Sequence, residues 1–193
     1  ACDARGALQL KSVHPPRSRR LFTAADRGYQ GAMSGLSLPL AALALFGAAA
    51  ATYLVGSVNF SIIACRLLGV PDLRGAGSGN AGATNLARAA GPGAAVAVLA
   101  LDLGRALGVV LAGRALLGPV APALVLPLLA GNLFPAFHGL RGGKGVAAAV
   151  GATAGLAPLV FLAGGGVFLT ALAVGRRVSA ASMAMACSWA GLA

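Results

Sequence analysis

The chain has 193 residues, 58% of them hydrophobic and only 10% charged, with fifteen Lys and Arg against four acids and a formal charge of +11. Soluble domains carry about a quarter charged residues, and a soluble fold this apolar could not cover its surface with polar groups. Disorder is excluded from Met33 onward, and the three scattered cysteines, Cys2, Cys65 and Cys187, form neither a disulfide framework nor a metal-binding spacing. An integral membrane protein with basic loops remains.

Residues 1–32 hold Arg5, Lys11, Arg17, Arg19, Arg20 and Arg27, and the run from His14 to Arg20 has neither helical nor strand periodicity. Such basic stretches can bind nucleic acid or anionic lipid. The segment has no apolar core, so it is not a signal peptide. The first methionine, Met33, directly precedes the first apolar run. The expectation is that residues 1–32 form a disordered basic extension that is not native, and that the membrane domain covers 33–193.

A bilayer span takes about 20 apolar residues. The first apolar block runs from Leu36 to about Leu54, with room to continue in helix to Leu68. A polar loop covers about Gly69 to Gly93. The second block runs from Ala94 to Leu117, and Gly118-Pro119 turns the chain. The third runs from Val120 to Phe137. A short fourth, Val146 to Ala157, stops at Pro158. The fifth runs from Leu159 to Val174, and the sixth begins near Ser179. The fold class expected is all-α, a polytopic transmembrane helix bundle. With one crossing per block, Arg66, Arg74 and Arg88, then Arg141 and Lys144, then Arg176 and Arg177 fall on one side. The positive-inside rule makes that side cytoplasmic. Arg114 is the exception on the other side.

The loop Asp72 to Asn85 places Gly75, Gly77, Gly79 and Gly82 within eight residues. Backbone N–H groups can converge there without Cβ obstruction, and such concavities bind anions. Ser78, Asn80, Thr84 and Asn85 add neutral hydrogen-bonding groups, and Arg88 adds a fork suited to phosphate. A flexible surface loop is the competing reading. Arg141-Gly142-Gly143-Lys144-Gly145 again sets cations around glycines just before a helix, where anions are favoured. It is not a Walker A loop. A positive-inside loop without a ligand explains it alone; two such loops on one face point to a phosphate-bearing ligand. Asp102 and Arg105 share a helix face inside the second block, as a buried structural pair or as part of the site. Ser179 and Ser182 open the sixth block on one face, where they could donate to an anion or Ser179 could cap the helix. There is no His-x-x-x-x-Asp box, no nucleophile elbow and no metal cluster. A reaction would rest on binding, orientation and charge stabilisation with an already activated substrate.

Leu54-Val55-Gly56-Ser57, Gly77-Ser78-Gly79-Asn80-Ala81-Gly82-Ala83-Thr84-Asn85, Leu101-Asp102, Phe134-Pro135 and Arg141-Gly142-Gly143-Lys144-Gly145-Val146-Ala147 occur in that order. From Thr52 to Ala193 the chain closely resembles the bacterial acyl-phosphate:glycerol-3-phosphate acyltransferase family, PlsY. The resemblance implies a seven-helix enzyme of the cell inner membrane with its active site on the cytoplasmic face. Such an enzyme moves a fatty acyl group from acyl phosphate to the 1-hydroxyl of glycerol 3-phosphate, giving lysophosphatidate for phospholipid biosynthesis. It implies no cofactor, no metal, and no need for acyl-CoA or acyl carrier protein; no nucleic acid partner is expected.

By the same resemblance Ser78, with Gly77, Gly79 and Asn80, would line a phosphate pocket that Asn85 helps to shape. Arg88 would bind one substrate phosphate and Lys144, helped by Arg141, the other. Ser179 and Ser182 match a Ser-rich family motif. The acyl tail would lie between helices, open to lipid. The chain departs from the family pattern at Asn132, where His is usual, at Arg105 and Arg141, where Lys is usual, and at Ala148, where Thr is usual. The family's seventh helix and its functional His and Asn have no counterpart before Ala193, so the domain is expected to be incomplete at its C-terminus. Two other classes stay open: a non-catalytic paralogue that binds a phosphorylated ligand, and a small transporter of a phosphorylated solute.

Overall fold

The computed structural model describes residues 37–190. The basic extension expected over residues 1–32 lies outside them. Among the described residues all regular structure is helical: α1 (Leu38–Gly56), α2 (Phe60–Leu68), α3 (Ala83–Ala90), α4 (Pro92–Leu117), α5 (Val125–Leu133), α6 (Val146–Leu156), α7 (Pro158–Gly175) and α8 (Val178–Ala190). Short 3-10 segments at Gly118–Leu124 and Ala136–His138 flank α5. Among the described residues three helical stretches are long and apolar enough to cross a membrane: Leu38–Leu68, Pro92–His138 and Pro158–Gly175. Val146–Leu156 and Val178–Ala190 are shorter apolar helices.

Local chemistry sets the breaks. Pro92 and Pro158 sit in the first turns of α4 and α7, where the missing N–H costs nothing. Asn59 caps α2: its side-chain oxygen accepts from the Ile62 N–H at 3.0 Å. Gly69 closes α2 in the left-handed conformation at φ 65°. The third apolar block is not one helix. Gly118-Pro119 and Pro122 hold its first residues in the tighter 3-10 turn, and Pro135 ends it, so only Val125–Leu133 is α-helical. The polar loop contains a helix, α3, that its composition had not suggested.

The outer surface is apolar. Leu38, Phe46, Leu116, Leu126, Leu159 and Val174 are each more than 70% exposed, a surface that only a lipid environment satisfies. The interior is built from small residues that let backbones approach, the packing expected where lipid removes the hydrophobic drive between helices. Gly56 and Gly131 bring α1 and α5 together, so that a Cβ on either would strike the partner's backbone at the Leu128 or Tyr53 carbonyl. Gly151 of α6 lies against the Leu103 carbonyl of α4 in the same way, beside the buried Ala106, Leu128 and Ala148. A second core joins Cys65, Leu73, Leu86 and Val98, anchoring α3 and the Gly-rich loop to α2 and α4. The described residues form an all-helical integral membrane fold.

Candidate functional site

The Gly-rich loop is organised by one side chain. Asn85, 3% exposed on the first turn of α3, accepts from the Ser78 N–H at 3.3 Å. Its amide donates to the carbonyls of Leu73 (3.1 Å), Ala76 (2.9 Å) and Asn80 (3.2 Å). The loop thus wraps around Asn85, which adds to the tight turns made by its own backbone, such as the Gly79 N–H to the Ala76 carbonyl at 3.1 Å. Gly77 has to be glycine here. Its φ is +59°, and a Cβ would collide with the Asn85 amide oxygen. Upstream, the Asp72 carboxylate accepts from the Arg74 backbone N–H at 2.9 Å and pairs with its guanidinium at 2.6 Å. Hydrogen bonds from the Arg74 side chain and backbone hold the Asp72 carboxyl down at about 2. The same guanidinium donates to the His138 carbonyl, tying the loop to the segment after α5.

The second loop docks on the end of α5. The Gly142 and Gly143 N–H groups donate to the carbonyls of Leu133 (3.1 Å) and Asn132 (3.2 Å). A Cβ on Gly143 would lie 2.7 Å from the Ala81 carbonyl, so the two glycine loops touch. Gly145, at φ 71°, then turns the chain into α6 and leaves Lys144 exposed beside the helix start.

Between these loops and the helices opens a cavity of about 1080 Å³. Ser78, Asn80, Asn85, Arg88, Asp102, Lys144, Ser179 and Ser182 all line it, so residues more than a hundred positions apart meet in one space. Thr84 and Arg88, one helical turn apart on α3, both face it while Asn85 turns back into the loop. Gly77, Gly79, Arg141 and Arg105 are outside the lining. The two glycines shape the loop, with Gly79 also at positive φ, and Arg141 is exposed.

Arg105 turns away from the cavity. Its guanidinium donates to the carbonyls of Val58, of Val55 and Gly56 (both 3.3 Å), and to Asp102 at 2.8 Å. It also lies 5.2 Å from the centre of the Phe60 ring. It therefore closes the C-terminal end of α1, where carbonyls lack partners and a cation is favoured. Asp102 bridges this clamp to the cavity. Ser179 does not cap α8. The Ala181 N–H bonds to the Arg177 carbonyl at 3.1 Å, so Arg177 starts the helix and Ser179 lies inside its first turn. Ser182 donates to the Val178 carbonyl at 2.9 Å.

Three polar lining residues were not among the candidate site residues read from the sequence. Arg176 and Arg177 join Arg88 and Lys144 at the cavity, giving it four cations, and Asn132 lies between the two loops. The arginines were legible only as loop charges, although the same-side topology had put them with the others. Beyond the cations the walls become apolar: Leu99, Leu103, Val150, Phe161, Phe168, Leu169 and Met183. A cationic mouth with a hydrogen-bonding rim and an apolar extension suits an anionic head on a hydrocarbon tail.

The profile of a family described as glycerol-3-phosphate acyltransferase matches residues 46–193. A glycerol-3-phosphate acyltransferase of Thioalkalivibrio sulfidiphilus is 46% identical over 136 residues, 69% of this chain and 67% of that protein. A Cereibacter sphaeroides protein of the same name is 44% identical over 137 residues, 70% of this chain and 68% of that one. The crystal structure of PlsY, an integral membrane glycerol 3-phosphate acyltransferase, superimposes in its glycerol 3-phosphate form with a TM-score of 0.70 and 35% identity. That match covers 75% of this chain and 73% of PlsY. Its lysophosphatidic acid form superimposes with a TM-score of 0.66 and 33% identity, covering 75% and 72%.

Proposed function

This chain belongs to the glycerol-3-phosphate acyltransferase family, and from that premise we propose that it transfers a fatty acyl group from acyl phosphate to the 1-hydroxyl of glycerol 3-phosphate, giving lysophosphatidate. The observation that supports the reading is the convergence of both glycine loops on one cavity with Arg88, Lys144, Arg176 and Arg177 around it and apolar walls beyond. The domain carrying the activity is assigned to residues 33–193, in the inner membrane, with the cationic mouth on the cytoplasmic face where basic loops reside.

Each substrate brings a phosphate. Arg88, a planar fork, suits one and Lys144 the other, with the Ser78 and Asn80 segment completing the cradle. Arg141 adds charge from outside the lining. Ser179 and Ser182 stand on the wall of the same cavity, Ser179 in the exposed first turn of α8. The acyl phosphate is a mixed anhydride. The glycerol 3-phosphate hydroxyl oxygen forms a bond to the acyl carbon, the bond from that carbon to the bridging phosphate oxygen breaks, and inorganic phosphate leaves with the electron pair. The hydroxyl proton passes to a substrate phosphate oxygen, whose basicity near neutral pH suffices. The protein supplies orientation and positive charge where the negative charge shifts.

The test is acyl transfer by this chain in membranes free of endogenous activity, with acyl phosphate and glycerol 3-phosphate supplied. Lysophosphatidate should form, and Lys144→Ala should cut turnover by about a hundredfold or more, as loss of a charge-stabilising donor does. Glycerol 3-phosphate binding without product from inserted protein would mark a non-catalytic binder. Passage of glycerol 3-phosphate across sealed vesicles without product would mark a transporter.

A further inference from the structure

Three consecutive glycines, Gly164, Gly165 and Gly166, interrupt the middle of α7, where glycine weakens a helix. Gly164 has a packing reason: a Cβ there would collide with the Trp189 ring of α8, whose N–H donates to the Val160 carbonyl at 3.1 Å. Gly165 has none. A Cβ on it would meet nothing within 4 Å, and the residue lines the cavity together with Phe161, Phe168 and Leu169. These four positions fall on one helical face, so the apolar wall from α7 has a single gap in its middle, bounded by aromatic rings on either side along the helix. Gly166 also has open space around it but faces away from the cavity.

We infer that Gly165 determines which acyl chains the enzyme accepts, because the missing side chain is the passage through which the tail of a long donor runs. The inference rests on the acyl-transfer reading above. Gly165 lies ten residues before Gly175, the end of α7 next to Arg176 and Arg177. At the helical rise that is about 15 Å from the cationic mouth. An extended chain advances about 1.2 Å per bond, so a tail passes the glycine once it exceeds about a dozen carbons. Shorter tails end before it. A side chain at 165 would therefore block long donors and leave short ones untouched.

Gly165→Leu puts a side chain into this open space and improves the intrinsic helix propensity of the position. In membranes, kcat/KM is measured with one saturated acyl phosphate well under and one well over a dozen carbons. The long donor should lose about tenfold or more relative to wild type, the scale at which a hydrophobic pocket rejects excess bulk, while the short donor stays within about twofold. Gly166→Leu should leave both unchanged. If Gly165→Leu does not insert, Gly165→Ala should show a smaller loss confined to the long donor. Unchanged use of the long donor, or equal loss of both donors, overturns the inference while the wild-type rates still support acyl transfer. Wild type inactive with both donors removes the acyl-transfer reading itself, and the inference with it.

Discussion

Replacing Asn85 by Ala removes the one side chain around which the Gly-rich loop is wound. Its amide has two hydrogens shared among the carbonyls of Leu73, Ala76 and Asn80, and its oxygen receives the Ser78 N–H. At most two strong donated bonds and one accepted bond are lost. At about 1 kcal/mol net for each, the loss is about 3 kcal/mol. The loop sits at the edge of the bundle rather than in its center, so the cost falls first on the local order of residues 73–80 and only in part on global unfolding. Under the proposed function, ordering the loop would be a cost met by phosphate binding, and about 3 kcal/mol corresponds to an apparent affinity loss of about a hundredfold. The assay pairs the KM for glycerol 3-phosphate with the thermal unfolding midpoint in detergent. A KM raised by one to two orders of magnitude, with a smaller change in midpoint, is expected. Wild-type values of both for Asn85→Ala would refute the claim that this residue organises the site.

Arg105→Met should destabilise the fold by about 3–5 kcal/mol, because it leaves Asp102 as an uncompensated buried charge and uncaps α1; detergent unfolding checks this, and Asp102→Asn in the same background should recover part of the loss. The Asp72–Arg74 pair makes a pH prediction. Asp72 is held at about 2 in the folded chain, below the usual value of about 3.9, so its contribution is fully present above that usual value and is lost as pH falls through the folded one. With the Asp72 side chain 45% exposed, the contribution is at most about 1 kcal/mol. Asp72→Asn should flatten the stability profile between about pH 4 and 2 and change little at neutrality.

The spans were legible because apolar length is written directly in composition. The second and fifth blocks correspond to α4 and α7 within two residues. The third block did not show its internal breaks, since counting apolar residues ignores what Pro119, Pro122 and Pro135 do to backbone pairing. Helix α3 escaped notice because eight residues in a polar, glycine-rich stretch have little helical drive of their own. It is held by Leu86, which is fully buried, and by Asn85 in the loop. At the site, the two glycine loops stood out from their spacing, and both line the same cavity. The partners of Arg105 did not stand out, because carbonyls fifty residues away leave no trace in the local pattern. Asn85 showed its polarity but not its direction, which depends on a loop closing around it.

Helix α4 carries its arginines in opposite temporal relations to their partners. Arg105 binds carbonyls of residues 55–58, which precede it in the chain, whereas Arg114 donates to the Gly155 carbonyl at 2.6 Å, which follows it. Synthesis proceeds from the N-terminus, so when α4 enters the bilayer the acceptor for Arg105 is already there and that for Arg114 has not been made. The placement of the two charges suits this order. Arg105, in the interior of the span, can be neutralised on entry. Arg114, three residues from the end of α4, can wait at the lipid–water boundary by extending its stem. Its acceptor, the Gly155 carbonyl near the C-terminal end of α6, comes later in the chain. In order of synthesis, the acceptors of Arg105 lie in the part of the chain made before it, whereas Arg114 joins α4 to a helix made after it.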